Sequence, residues 1–164
     1  MAITTGDPLP NATLRELTAD GTREVSIEGL VRKRRVVLFG LPGAFTPTCS
    51  ARHVPGYLAL ADKIRALGVD EIACVSVNDA FVMGAWGRDQ HTEGKIRMLA
   101  DGNADFTRAI GVEENLSGYG MGLRSKRYSM LVDDGVVMTL NIEEPGKFEV
   151  SDAETMLYQL SKLR

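Results

Sequence analysis

Two rhythms of apolar residues run along this chain. Runs of strand length, either alternating or continuously apolar, occupy residues 13–17, 22–26, 35–39, 71–77, 96–100, 127–132 and 136–142. Two pairs of these runs are separated by Ala19-Asp20-Gly21 and Asp133-Asp134-Gly135. Asp-Gly readily supplies the positive φ angles of a tight hairpin turn, so each pair is expected to fold back on itself. Helical spacing covers residues 47–67, with Gly68 beyond, and residues 79–90, with Asn78 as a cap. A shorter helix is expected over 104–110, and Ser151-Asp152-Ala153-Glu154 opens a last one in the form of a capping box. Pro55 falls inside the 47–67 pattern, where it removes a donor and crowds the carbonyl four residues earlier; a kink is expected there.

The order of these elements is a βαβ half followed by a ββα half. It predicts an α/β protein of thioredoxin-like fold, with a mixed central sheet, helices on both faces and an extra N-terminal β-hairpin. No repeat, linker or low-complexity tract divides the chain, so residues 1–164 read as a single domain. An apolar content of 44% and a charged content of 25% fit one ordinary core.

Charge narrows the function classes. A net charge of −3 speaks against a general nucleic-acid binder, and the one basic run, Arg32-Lys33-Arg34-Arg35, reads as a solvated loop entering a strand. No opening segment has the form of a signal peptide, and no stretch approaches the ~20 apolar residues of a membrane span. The expectation is a soluble, cytoplasmic protein without a membrane or nucleic-acid partner. Two cysteines, Cys49 and Cys74, form neither a disulfide framework nor a Cys-x-x-Cys pair. With His53 and His91 they show no zinc-type spacing, so no metal or cofactor is expected.

In an α/β sheet, function usually sits in the loop that leaves a strand's C-terminal end for the next helix. Here that loop is Gly40-Leu41-Pro42-Gly43-Ala44-Phe45-Thr46. Thr46 is placed to be the N-cap of the following helix and Pro47 suits its first position, which puts Cys49 in the first turn. A helix N-terminus favours an anion, and the thiolate is the nucleophilic form of cysteine. The alternative for Cys49 is an inert buried thiol.

The run Pro42-Gly43-Ala44-Phe45-Thr46-Pro47-Thr48-Cys49-Ser50 resembles the active-site signature of the peroxiredoxins, in the form of their type II, or peroxiredoxin-five-like, subfamily. The likeness continues through Arg52-His53-Val54-Pro55-Gly56, Gly68-Val69-Asp70-Glu71-Ile72, Ser76-Val77-Asn78-Asp79 and Phe81-Val82-Met83, then Ala85-Trp86-Gly87. It resumes at Leu99-Ala100-Asp101-Gly102 and at Gly122-Leu123-Arg124-Ser125-Lys126-Arg127-Tyr128-Ser129. The resemblance implies a thiol-dependent peroxidase acting on hydrogen peroxide and organic hydroperoxides. By the same likeness Cys49 is the peroxidatic nucleophile, Thr46 hydrogen-bonds the peroxide, Arg127 steadies thiolate and transition state, and Pro42 shields the pocket. Backbone N–H groups near Gly43 and Cys49 would orient the oxygens. Arg124 is a second candidate for the guanidinium. His53, one turn after Cys49, suits a packing or polar-network role.

Peroxide attack leaves a sulfenic acid that another thiol must capture before it oxidises further. Cys74 falls in a strand expected to be central and buried, where a packed core thiol is the plain reading and a resolving thiol the alternative. Relatives that carry a resolving cysteine before the last helix have it about where Val150 stands here. The expectation is therefore a one-cysteine cycle reset by glutathione with glutaredoxin, or by thioredoxin. Family likeness also implies a homodimer, with Phe45, Phe81 and Trp86 as candidate anchors. Two rivals are a thiol-disulfide oxidoreductase, which lacks its second adjacent thiol here, and a redox sensor using the same cysteine.

Overall fold

A computed structural model describes residues 1–163. Nine strands and five α-helices follow in the order β1 Thr13–Thr18, β2 Gly21–Ser26, α1 Ile27–Val31, β3 Arg35–Leu41, α2 Val54–Ala66, β4 Glu71–Ser76, α3 Ala80–Gln90, β5 Arg97–Ala100, α4 Asp105–Ala109, β6 Glu113–Asn115, β7 Leu123–Ser125, β8 Tyr128–Asp133, β9 Val136–Ile142 and α5 Ala153–Lys162. Seven strands form one sheet in the order β2-β1-β5-β4-β3-β8-β9, while β6 and β7 pair by themselves. β4 lies between β3 and β5 and is parallel to both; β8 runs antiparallel to β3. This is the mixed thioredoxin-like sheet that the order of elements predicts, with its N-terminal hairpin.

Strand alternation divides the core in two. Val37, Phe39, Leu41, Ile72, Cys74 and Leu131 face α2, α3 and α5, through Tyr57, Ala61, Ile64, Met83, Trp86, Met156 and Leu160. Val36, Leu38, Ala73, Val75, Met130 and Val132 face the other way, against Ile27 and Leu30 of α1 and Phe106 of α4. The central strands are therefore apolar at successive positions because both faces are covered.

Both predicted hairpins form. β8 and β9 join through Asp134 and Gly135, at φ 46° and 83°, the left-handed pair that a two-residue turn of matching twist requires. β1 and β2 pair in full register from Thr13↔Ser26 to Thr18↔Gly21, and β1 meets the main sheet at Arg15↔Ala100. Ahead of the hairpin, residues 6–9 lie along the start of β9. Gly6 N–H donates to Val137 O at 2.7 Å, Val137 N–H to Asp7 O at 2.9 Å and Leu9 N–H to Gly135 O at 2.8 Å. Gly40 is obligatory in β3, because the Tyr128 ring from β8 lies across it and a Cβ there would come within 2.1 Å of a ring carbon.

Several boundaries differ from the sequence reading. α1 and the β6–β7 pair have no counterpart in it. Asp79, not Asn78, caps α3: its carboxylate accepts from Val82 N–H at 2.8 Å. Asp152, not Ser151, caps α5, accepting from Thr155 N–H at 3.2 Å. In both cases the displaced residue is engaged elsewhere, Asn78 with the loop that follows β3 and Ser151 with a buried carboxylate. The 47–67 helix contains a π-helical turn, Cys49–His53, in which Val54 N–H bonds to Cys49 O, five residues back. Pro55, with no N–H to offer, follows at once in α2, so the wide turn absorbs the irregularity expected at the proline.

Candidate active site

β3 ends at Leu41, and the chain turns through Pro42 to Thr46 before the helix begins. Thr46 keeps the main-chain role of a cap, its carbonyl accepting from Ser50 N–H at 2.9 Å, but its hydroxyl turns back to donate to Gly43 O at 2.7 Å. Phe45 holds φ at 63°, a left-handed conformation for a non-glycine residue, which makes the turn sharp. Asn78, at the end of the neighbouring strand, fixes the loop from outside by accepting from Ala44 N–H at 2.9 Å and from Ser76 Oγ at 2.7 Å. Sequence reasoning missed this tie because it spent Asn78 on the helix cap.

Cys49 is fully buried in the first turns of the helix. Arg127, immediately before β8, points its Nη2 at Cys49 Sγ from 3.3 Å. Its Nη1 lies 2.9 Å from His53 Nδ1, and His53 Nε2 lies 3.1 Å from Ser151 O. A carbonyl only accepts, so Nε2 carries the imidazole proton, leaving Nδ1 a lone pair for the guanidinium. Burial, and secondarily the Arg127 charge, hold His53 down to about 3, while the Ser151 carbonyl pulls weakly the other way. The imidazole is thus neutral and serves as the acceptor that aims Arg127 at sulfur. Phe148 packs 5.0 Å from the His53 ring, with Arg52 and Arg127 over its face at 4.8 and 5.6 Å.

Arg124 does not reach the sulfur. Its Nε donates to Met121 O at 2.9 Å and its Nη1 to Pro42 O at 3.4 Å, so it braces the outer side of the loop. A cavity of about 450 Å³ opens beside the site, lined by Pro42, Thr48, Arg52, Arg127, Lys147 and Phe148 among others. Cys74 sits on β4 opposite Phe39, fully buried on the same side of the sheet as Cys49. Burial, reinforced by the neighbouring Cys49, pushes the Cys74 thiol well up, which keeps it protonated. Trp86 is fully buried too and donates to Ser50 Oγ at 3.0 Å; it is a core residue next to the site and not a surface anchor.

The Redoxin family model matches residues 4–157. The chain is 52% identical over 163 residues to the chloroplastic peroxiredoxin-2E-2 of Oryza sativa subsp. japonica, covering 96% of this chain and 72% of that one. Reduced Prx3 of Vibrio vulnificus, solved in complex with H₂O₂, has a TM-score of 0.93 at 56% identity, covering 96% of this chain and 99% of that one. The chain belongs to the peroxiredoxins. Peroxiredoxin 5 of Alvinella pompejana shares the fold as well, with a TM-score of 0.86 at 38% identity over 98% of this chain and 99% of that one. As a peroxiredoxin the protein is a thiol-dependent peroxidase, of the type II, peroxiredoxin-five-like kind, and its substrate class is the hydroperoxides.

Proposed function

We propose that Cys49 is the nucleophile of this peroxidase and that Arg127 is the group that makes it effective. The observation that supports this most directly is the 3.3 Å approach of Arg127 Nη2 to Sγ in a buried setting. The Cys49 thiolate attacks one oxygen of ROOH; the O–O bond breaks, sulfur is oxidised to the sulfenic acid, and the departing RO⁻ takes a proton to leave as ROH. Negative charge moves from sulfur to the leaving oxygen, so fixed guanidinium donors gain strength as the bond breaks. Thr46, whose hydroxyl is 2.7 Å from Gly43 O, has a free lone pair for the peroxide O–H, and Pro42 excludes water from one side.

Hydrogen peroxide is the smallest member of the substrate class and the one held by the Vibrio relative; organic hydroperoxides are included here because the 450 Å³ cavity leads to Arg127 from outside. Resetting follows a one-cysteine cycle. A first thiol displaces water from the sulfenic acid to give a mixed disulfide, and a second releases Cys49 as the thiol and leaves as an oxidised disulfide. Glutathione with glutaredoxin, or thioredoxin, would supply these thiols in a reducing compartment such as the cytoplasm. Cys74 is unsuited to resolve the sulfenic acid, since burial keeps it protonated. Phe45 and Phe81, 53% and 67% exposed, are available to anchor a homodimer beside the loop.

The test is a peroxide-consumption assay on wild type, Cys49→Ser and Cys74→Ser, run separately with glutathione plus glutaredoxin and with a thioredoxin system. Cys49→Ser is expected to be inactive and Cys74→Ser to turn over. A Cys74→Ser protein that reacts once and stops would replace the one-cysteine cycle with an internal disulfide.

A further inference from the structure

Glu143 follows β9 and stands across from Arg127: its N–H donates to Arg127 O at 2.9 Å, prolonging the β8–β9 ladder by one pair. The residue is 5% exposed, and its carboxylate turns into the loop that leads to α5. There a single carboxylate oxygen, Oε2, accepts from Glu149 N–H, Val150 N–H and Ser151 N–H, each at 2.8 Å, and from Ser151 Oγ at 2.7 Å. Four donors on one oxygen tie three successive peptide units to it, most firmly at buried Ser151, where an N–H without an acceptor is strongly disfavoured. Ser151, held by both its N–H and its hydroxyl, carries on the far side of its Cα the carbonyl that receives His53 Nε2 and, at 3.1 Å, the Tyr57 hydroxyl.

The contacts close a ring: Arg127 main chain, Glu143, Ser151, His53 and back to the Arg127 guanidinium. We infer that Glu143 is a positioning residue for the peroxidase reaction, acting through the Ser151 carbonyl to hold His53 in the Nε2–H form and so to aim Arg127 at Cys49 Sγ. The inference rests on the role proposed above for Cys49 and Arg127. No side chain between Glu143 and the sulfur is dispensable to it. Without the carboxylate, the 149–151 segment has no common acceptor and the Ser151 carbonyl keeps only the Tyr57 hydroxyl to hold it against turning from His53. The imidazole can then put its proton on Nδ1, which presents an N–H to the guanidinium in place of a lone pair. Arg127 would rotate off and its Nη2 would leave sulfur.

This connection explains why a buried carboxylate lies next to an active site without touching the reacting atoms. Glu143 borders the same cavity as Pro42 and Arg127 yet spends its oxygen on backbone donors. Negative charge there is best placed to neutralise three converging N–H dipoles, not to pair with a cation.

The test compares wild type, Glu143→Ala and Glu143→Gln, the last retaining one acceptor oxygen of the same reach. The first readout is the ¹⁵N spectrum of the His53 ring in the reduced protein without peroxide. The second is the single-turnover rate of Cys49 oxidation by hydrogen peroxide, followed by the fluorescence of Trp86, the one tryptophan of the chain. Wild type is expected to show the Nε2–H tautomer alone. Glu143→Ala should show a mixture and react about 10–100-fold more slowly, as expected for losing a charge-assisted contact in the transition state, with Glu143→Gln in between. A pure Nε2–H ring in Glu143→Ala, or a wild-type rate with a mixed ring, overturns the inference. If Glu143→Ala does not fold, Glu143→Gln carries both readouts and a result identical to wild type in each overturns it. The ring spectrum is taken without turnover, so it judges the positioning role even if Cys49→Ser proves active and the parent assignment fails.

Discussion

The site resists protonation of His53, and the size of that resistance follows from its surroundings. The ring lies between a guanidinium 2.9 Å from Nδ1 and a carbonyl 3.1 Å from Nε2, fully buried. An imidazolium there would lose its hydration and set two cations in contact, which is why burial first and Arg127 second bring the group from 6.5 to about 3. In the unfolded chain it returns to ~6.5. Between those values the unfolded state binds a proton that the native state refuses, so stability rises with pH across the window and is lost as pH falls through it. Integrating the difference from about pH 7 to about pH 5 gives a loss of about 2 kcal/mol from this residue alone. Urea unfolding of wild type and of His53→Gln at those two pH values isolates it, because other titrating groups contribute to both proteins. The wild type should lose about 2 kcal/mol more than the variant over the interval. Equal losses would refute the buried neutral imidazole and, with it, the lone pair that receives Arg127.

Two further predictions follow from single contacts. Arg127→Gln removes the donor at 3.3 Å from Sγ together with its charge, and should slow single-turnover oxidation by peroxide by about 10²–10³-fold while leaving Cys49 in place for alkylation. Gly40→Ala drives a Cβ to 2.1 Å from the Tyr128 ring in the centre of the sheet, and should lower stability by at least about 1–3 kcal/mol in denaturant unfolding; an unchanged midpoint would show that the ring moves freely.

Much of this architecture was legible because its signals are local. The hairpin at Asp134-Gly135 needs two left-handed residues and the chain supplies them. The apolar run at β3 and β4 matches strands covered on both faces. Cys49 could be placed in the first helical turn because Thr46 and Pro47 mark where that helix begins. Other features were hidden where two residues compete for one role. Asn78 and Asp79 can both cap, as can Ser151 and Asp152, and the outcome is decided by partners remote in sequence: Ala44 N–H for Asn78 and the Glu143 carboxylate for Ser151. The choice between Arg124 and Arg127 was likewise undecidable from spacing, since it depends on which falls at the start of β8 facing β3 and the helix behind it. Glu143 carries no motif at all; its importance arises from a loop that folds back over it. The β6–β7 pair, of three residues each and largely polar, offers no periodicity to read.

The margins of the main sheet have a consequence for how the molecule behaves among its copies. An open edge of unpaired N–H and C=O groups invites another polypeptide to add as a further strand. At one edge β2 is short and carries Arg23 and Glu24, ion-paired to Glu16 and Arg15 of β1 at 2.7 and 3.4 Å, so an incoming backbone meets charges. At the other, residues 6–9 already occupy the beginning of β9. Residues 6–9 thus stand guard against intermolecular β-pairing at that end, and cutting them away would bare the Val136–Val137 start of the strand to self-association.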